Sequence, residues 1–211
     1  FSGGKQIRVY GTKPLQNDPY IAAQSPYLAM ELDSAVGIST GKPRSVAEIQ
    51  SILERNRAAH TQKAAKYGDL AEVYKAIQTV MAWDTIYEPE KDRVVSPVSR
   101  IWNVGWGGYV LFEWDNYFAA FMASIDNKEI AYANAVEMTN EITENGLVPN
   151  FASSYNLKSR DRSEPPVGAL MVREIYRKYR DPWLLMEVFN NLLRWNRYWH
   201  EHRNIDGLLC W

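Results

Sequence analysis

Three short segments of the 211-residue chain combine carboxylates, amides and aromatic rings in a way that suits a polyol ligand. In Trp114-Asp115-Asn116-Tyr117-Phe118 a carboxylate stands among aromatic side chains. A sugar presents hydroxyls at its edge and C–H groups on its faces. A sugar site therefore wants a ring to stack on, beside a carboxylate that accepts two hydroxyl hydrogen bonds. Asp115 also falls where a helix begins, and a capping role accounts for it as well. The two roles are compatible, because a cap points its carboxylate into any cavity at that end. Asp161-Arg162-Ser163-Glu164-Pro165-Pro166-Val167-Gly168 lies at a loop-to-helix junction, where backbone amides and a positive dipole end gather. Glu164 either binds a ligand hydroxyl there or complements that dipole. Gly146-Leu147-Val148-Pro149-Asn150-Phe151 offers Asn150, which donates and accepts toward a polyol or is an ordinary loop amide.

Other chemistries lack their residues. His200 and His202 are two apart on a helical stretch and face different directions, a poor metal pair, and His60 stands alone. Cys210 is the only cysteine, so no intrachain disulfide and no cysteine metal site can form. No metal or other cofactor is expected. No phosphate loop, dinucleotide-binding glycine pattern or nucleophile elbow occurs, and Gly105–Gly108 lacks the lysine a phosphate loop needs. A net charge of −1 carries no footprint for nucleic acid or an anionic membrane. No run is apolar for long enough to span a bilayer; residues 101–124 come nearest and are broken by Glu113, Asp115 and the glycines.

These segments need a scaffold, and the sequence beyond residue 44 reads as helices. Ser45 with Glu48 forms a capping box that opens a helix to about Lys66. Its sparse apolar positions suit a connector. Leu70, Val73, Tyr74, Ile77, Val80 and Met81 follow the helical period in the next. A hairpin or turn-rich stretch follows over 84–104. A second helix of the array spans about Asp115 to Ser124. Asp126 is expected to cap a third with Ala131, Ala135, Met138 and Ile142 inward, stopped by Asn145-Gly146. Ser163 is expected to cap a fourth, with Pro165 and Pro166 in its first turn and Val167, Leu170, Met171 and Ile175 buried. Asp181-Pro182 starts a fifth, with Leu185, Val188, Phe189, Leu192, Trp195 and Trp199 on one side. Alternating short and long connections imply an array of helical hairpins, curved or closed. Before residue 44, Lys5–Tyr10 alternates like a strand, Leu28–Val36 suits another, and Gly11, Pro14, Pro19 and Pro26 punctuate the stretch.

Six segments occur in an informative order: Val94-Val95-Ser96-Pro97-Val98-Ser99-Arg100, Trp106-Gly107-Gly108-Tyr109, Phe112-Glu113-Trp114-Asp115, Gly146-Leu147-Val148-Pro149-Asn150, the 161–168 junction, and Asp206-Gly207-Leu208-Leu209. Together they resemble glycoside hydrolase family 63, whose kin include processing α-glucosidases and bacterial mannosylglycerate hydrolases. The resemblance implies a mainly α fold, an (α/α)6 toroid of which residues 67–211 form the first half. Residues 45–66 are then a connector helix, and residues 1–44 the tail of an upstream β domain or a linker. It implies an inverting α-glycosidase, α-glucosidase-like, acting on α-linked oligosaccharides or small glycosides. Inversion needs an acid and a base far enough apart to admit water. The family's acid lies in a Glu-Ser-Gly-x-Asp-like segment after the Gly-Leu-Leu stretch, and its base lies near the C-terminus. Neither segment is present, so no catalytic residue is expected in this chain. Asp115 maps onto a position that holds the sugar in the −1 subsite. Glu164 stands where the family usually has Gln, which adds charge and calls for a basic partner such as Arg162.

The substrate-binding set expected from this resemblance is Trp106, Trp114, Asp115, Phe118, Asn150, Arg162 and Glu164. Its partners are a carbohydrate and the remainder of the barrel. The expected reading is a piece of a longer protein, inactive alone, with an exposed helical face that promotes association. Bacterial cytoplasm and a periplasmic or secreted location both stay open. Two alternatives remain: a carbohydrate-binding protein without catalysis on the same scaffold, and a helical interaction module. The last predicts that the aromatics of 102–121 are fully buried.

Overall fold

The computed structural model describes residues 6–17 and 28–210. Lys5, Pro19 and Pro26, named above in the N-terminal reading, lie outside the described residues. The chain divides into two compact units, Phe1–Tyr74 and Lys75–Trp211.

In the first unit, β1 (Val9–Gly11), β2 (Gln16–Asn17), β3 (Leu28–Ala29) and β4 (Ile38–Thr40) form two antiparallel ladders, β1 with β4 and β2 with β3. The strand expected over Leu28–Val36 is only two residues long, and the pairing resumes at Ile38. Helix α1 (Val46–Ala65) begins on the expected capping box. The Ser45 hydroxyl accepts from Glu48 N–H, and the Glu48 carboxylate accepts from Ser45 N–H at 2.7 Å. That charge-assisted exchange, with the Ser45 backbone first among its causes, holds Glu48 below the usual carboxylate pKa. Ala64 is the buried residue of α1, as its sparse apolar pattern implies. Tyr67 stacks on Tyr74 with ring centroids 4.5 Å apart.

Helix α2 (Ala71–Asp84) runs from one unit into the other. Its apolar period is real, and Tyr74 and Met81 are buried, but Leu70, Val73 and Val80 are more than half exposed. The hairpin anticipated after it is β5 (Ile86–Glu88) paired with β6 (Arg93–Val95). It is followed by a glycine turn in which Gly108 N–H donates to Asn103 O and Gly108 O receives Trp102 and Asn103 N–H in return. Gly107 and Gly108 both sit at positive φ, 94° and 101°, which that turn requires and glycine adopts without strain.

Strand β7 (Val110–Phe112) leads directly into α3 (Glu113–Ala123) and pairs with β8 (Phe151–Ser153) in the register Val110–Ser153, Leu111–Ala152, Phe112–Phe151. Helix α4 (Lys128–Asn140) packs on α3, and Asn127, not Asp126, caps it by accepting from Ile130 N–H. Ala131, Ala135 and Met138 are fully buried as expected. The helix stops at Asn140, five residues before Asn145-Gly146. Thr143 then organises a turn, its hydroxyl donating to Leu147 O while it accepts from Leu147 N–H. Helices α5 (Gly168–Tyr179) and α6 (Pro182–His202) complete the packed group, followed by the short pair β9 (Asn204–Ile205) and β10 (Leu208–Leu209). Asp181 caps α6 through Trp183 N–H, with Pro182 at its first position.

The start of α5 differs from expectation. It has no side-chain cap, and Ser163, Pro165 and Pro166 lie before it in chain without regular secondary structure. Gly168 opens it because a Cβ there would come within 2.5 Å of Tyr117 Cζ and 2.8 Å of Trp195 Cζ3. Met171, Val172 and Ile175 of α5 and Leu184, Val188 and Trp195 of α6 join the core, whereas Leu170 and Phe189, expected inside, are 45% and 60% exposed. No helix among the described residues is long and apolar enough to cross a membrane.

A buried polar frame ties the hairpin to α4. Arg93 donates to Glu88 at 2.5 Å, Glu141 at 2.6 Å and the Tyr109 hydroxyl at 3.1 Å. Lys158 reaches the other Glu141 oxygen. Burial opposes ionisation of Glu141, but the Lys158 and Arg93 contacts prevail and hold its pKa below the usual value. Nearby, Asn134 clamps Ser96 by accepting from its amide at 2.8 Å and donating to its hydroxyl at 3.0 Å.

Candidate functional site

The three candidate segments meet at the first turn of α3. The first amides of any helix lack partners within it, and here three separate segments answer them. Phe112 N–H donates to Asn116 Oδ1 at 3.1 Å, Glu113 N–H to Asn150 O at 3.1 Å, and Trp114 N–H to Glu164 Oε2 at 3.2 Å. The β7–β8 pairing brings Asn150 to this place, since it immediately precedes β8. Asn150 N–H in turn holds Arg162 O at 3.2 Å, and Ser159 ties the same loop to Phe151. Glu164 therefore arrives from fifty residues away to cap α3. Phe112 occupies the cap position without a side-chain bond, and Asp115 lies inside the first turn. The capping role assigned to Asp115 belongs to Glu164.

Three carboxyls thus surround one helical turn. Glu113 is completely buried, and neither of its oxygens has a hydrogen-bond partner among the described residues. Burial, then the charges of Glu164 and Asp115, push its pKa up to about 9, so it is protonated at neutral pH. Asp115 is half-buried and raised by desolvation, against the opposing pull of its own amide and the Trp114 side chain. Glu164 is raised by desolvation too. The Trp114 amide, Arg162 and the Asn150 side chain oppose that shift, and Asp115 adds to it.

Aromatic surface stands beside these groups. Trp114 and Phe118 are 40% and 38% exposed, their rings tilted with centroids 6.2 Å apart. Trp102 and Phe121 are also exposed, contrary to the fully buried aromatics expected of a plain interaction module. Trp106 stacks flat on Phe151 at 4.8 Å, and its carbonyl accepts from Ser154 and Tyr155. It buttresses the residue next to Asn150. The fold gathers Trp114, Asp115, Asn150 and Glu164 closely, sets Phe118 one turn along α3, and brings in Arg162 through its backbone. A separate groove of about 300 Å³ between α5 and α6, lined by Pro166, Leu192, Trp195 and Trp199, contains no carboxylate. The described residues hold no cluster of acids, histidines or cysteines able to bind a metal ion.

Glu113 is absent from the set expected from sequence. Its sequence signal is an acid flanked by Phe112 and Trp114, two residues from another acid, but only the fold reveals its burial.

Residues 108–211 match the family model of the mannosylglycerate hydrolase MGH1-like glycoside hydrolase domain. From Gly108 onward the chain is therefore similar to part of a glycoside hydrolase domain, consistent with the resemblance to family 63. All the candidate residues except Trp106 lie inside the matched stretch. No curated protein matches the chain.

Proposed function

We propose that this chain supplies one wall of the −1 sugar pocket of an inverting, α-glucosidase-like glycosidase acting on α-linked oligosaccharides or small glycosides. In this reading residues 67–211 are the first half of an (α/α)6 toroid. The observation that carries it is the convergence of Asp115, Glu164 and Asn150 around the start of α3 beside the exposed Trp114 and Phe118 rings. The carboxyls of Asp115 and Glu164 accept sugar hydroxyls, Asn150 donates and accepts, and the rings cover a C–H face. The three acids crowd one turn, whereas inversion needs carboxyls separated widely enough for water. That supports binding roles for these residues and leaves proton transfer to groups elsewhere in the catalytic domain.

The test is a screen of α-glucosides and α-mannosides with the complete parent protein. Asp115→Ala is expected to lower kcat/KM by on the order of 10²-fold, the loss of charge-assisted hydrogen bonds, with the far-ultraviolet circular dichroism unchanged. No hydrolysis of any such glycoside, together with unchanged binding in Asp115→Ala, would sink the reading.

A further inference from the structure

Asn116 runs against helix propensity. It sits inside the first turn of α3 and is buried, although an asparagine side chain competes with helical backbone and is costly to bury unsatisfied. Its bonds account for it. Oδ1 accepts from Phe112 N–H at 3.1 Å, and Nδ2 donates to Ser96 O at 3.4 Å and to Asn134 Oδ1 at 3.3 Å. Asn134, on α4, is fully buried too. Its Oδ1 also accepts from Ser96 N–H at 2.8 Å, and its Nδ2 donates to Ser96 Oγ and to Ile130 O, both at 3.0 Å. Ser96 Oγ meets Thr85 Oγ1 at 2.9 Å, and Thr85 Oγ1 donates to Met81 O at 2.6 Å in the last turn of α2. The Phe112 and Ser96 amides can only donate, so they fix which end of each asparagine is oxygen. One direction then fits the remaining bonds: Asn134 Nδ2 donates to Ser96 Oγ, which donates to Thr85, which donates to Met81 O. An uncharged chain of hydrogen bonds thus runs from the end of α2, through Ser96 beyond β6 and Asn134 on α4, to Phe112 at the cap of α3.

We propose that Asn134 is a positioning residue for the sugar site, acting through Asn116. It holds the start of α3, and with it Trp114 and Asp115, in fixed relation to α2, β6 and α4. The proposal rests on the sugar-site reading above and goes beyond it, since it assigns the frame that keeps that wall in place. A binding group displaced by about 1 Å costs on the order of 10²-fold in rate, so a frame one residue removed from the site bears on catalysis. Amides suit the duty because they fix geometry without adding charge beside Glu113, Asp115 and Glu164. The competing account is local: Asn134 only clamps Ser96, Asn116 only answers Phe112 N–H, and the start of α3 does not respond to Asn134.

Two measurements test this. Amide hydrogen exchange on the 211-residue chain reads the frame, and kcat/KM of the complete parent protein on an α-glycoside reads the site. Asn134→Leu removes the link at similar side-chain size, and Val188→Ala, in the core of α6, controls for a general loss of stability. In Asn134→Leu, exchange at the Phe112 amide is expected to rise about tenfold or more beyond that of core amides in α5 and α6. Its kcat/KM per folded molecule is expected to fall about tenfold to a hundredfold. Val188→Ala is expected to raise exchange evenly and leave kcat/KM unchanged. If Asn134→Leu fails to fold, Ser96→Ala, which deletes only a hydroxyl, carries both measurements in the same direction. Phe112 exchange that rises no more than that of the core amides overturns the proposal. Faster exchange there with unchanged kcat/KM also overturns the positioning role and leaves the sugar site standing. A wild-type parent that hydrolyses no α-glycoside removes the sugar site, and the positioning role with it.

Discussion

Replacing Glu113 by Gln isolates the cost of the buried carboxyl. In the unfolded chain a glutamate ionises near 4.5; in the fold Glu113 does so at about 9. Between those values the unfolded state has released a proton that the native state still holds, so stability falls as pH rises. The contribution is complete below pH 4.5 and is lost progressively up to about pH 9. Each pH unit in that window costs about 1.4 kcal/mol, so at pH 8 the accumulated loss is ~5 kcal/mol. Glutamine has nearly the same shape and never ionises. A protonated carboxyl and an amide bury comparable polar groups, so the two proteins are expected to have similar stability at about pH 5. They are expected to diverge until Glu113→Gln is more stable by roughly 3–5 kcal/mol at pH 8. Asp115 and Glu164 add pH dependence of the same sign, which is common to both proteins and cancels in the difference. Urea unfolding at roughly one-unit steps from pH 5 to 8 reads this directly. All eight tryptophans lie at or beyond Trp83, so their fluorescence reports the second unit alone. Stability curves that run parallel within about 1 kcal/mol across that range would refute the reasoning, as would a variant less stable than wild type at pH 8.

Three further outcomes follow from the packing. Gly168→Ala is expected to cost about 1–3 kcal/mol, because its methyl group meets the Tyr117 and Trp195 rings, which sit in the core; the same tryptophan-monitored denaturation measures it. Arg93→Met strands buried Glu88, whereas Glu141 keeps Lys158, and is expected to cost about 3–5 kcal/mol, with part recovered when Glu88→Gln is added. Equal stability of the single and double variants would contradict that coupling. Ser45→Ala removes the cap of α1 at a cost of about 1 kcal/mol. It should appear as faster hydrogen exchange at Ala47 and Glu48, without change in the tryptophan signal.

Elements whose signals lie between near neighbours are legible in the amino-acid sequence alone. The Ser45–Glu48 box and Asp181-Pro182 fall at helix starts, as their residue types imply, since a cap and its amide are within three residues of each other. The β5–β6 hairpin and the buried stripe of α4 are legible for the same reason: strand alternation and helical period are properties of neighbouring residues. Periodicity states which residues share a face but not what covers it. Val80, Leu70, Leu170 and Phe189 keep the period and are nonetheless exposed. The α4 start falls one residue from its expected position because Asp126 and Asn127 are equally good cap types, and α5 starts at Gly168 without a side-chain cap, where close packing against Tyr117 and Trp195 needs a glycine.

The sequence by itself determined the helical character, the starts of α1 and α6 and the residue types suited to a sugar: Trp114, Asp115, Asn150 and Glu164 in that order. Only the tertiary structure decided what each one does at the start of α3. The cap is Glu164, because pairing of β7 with β8 carries Asn150 and the following loop across to Trp114 N–H. The perturbed acid is Glu113, because its fate depends on which atoms exclude water around it. Those atoms come from distant parts of the chain, and burial is set by their packing rather than by the residues on either side.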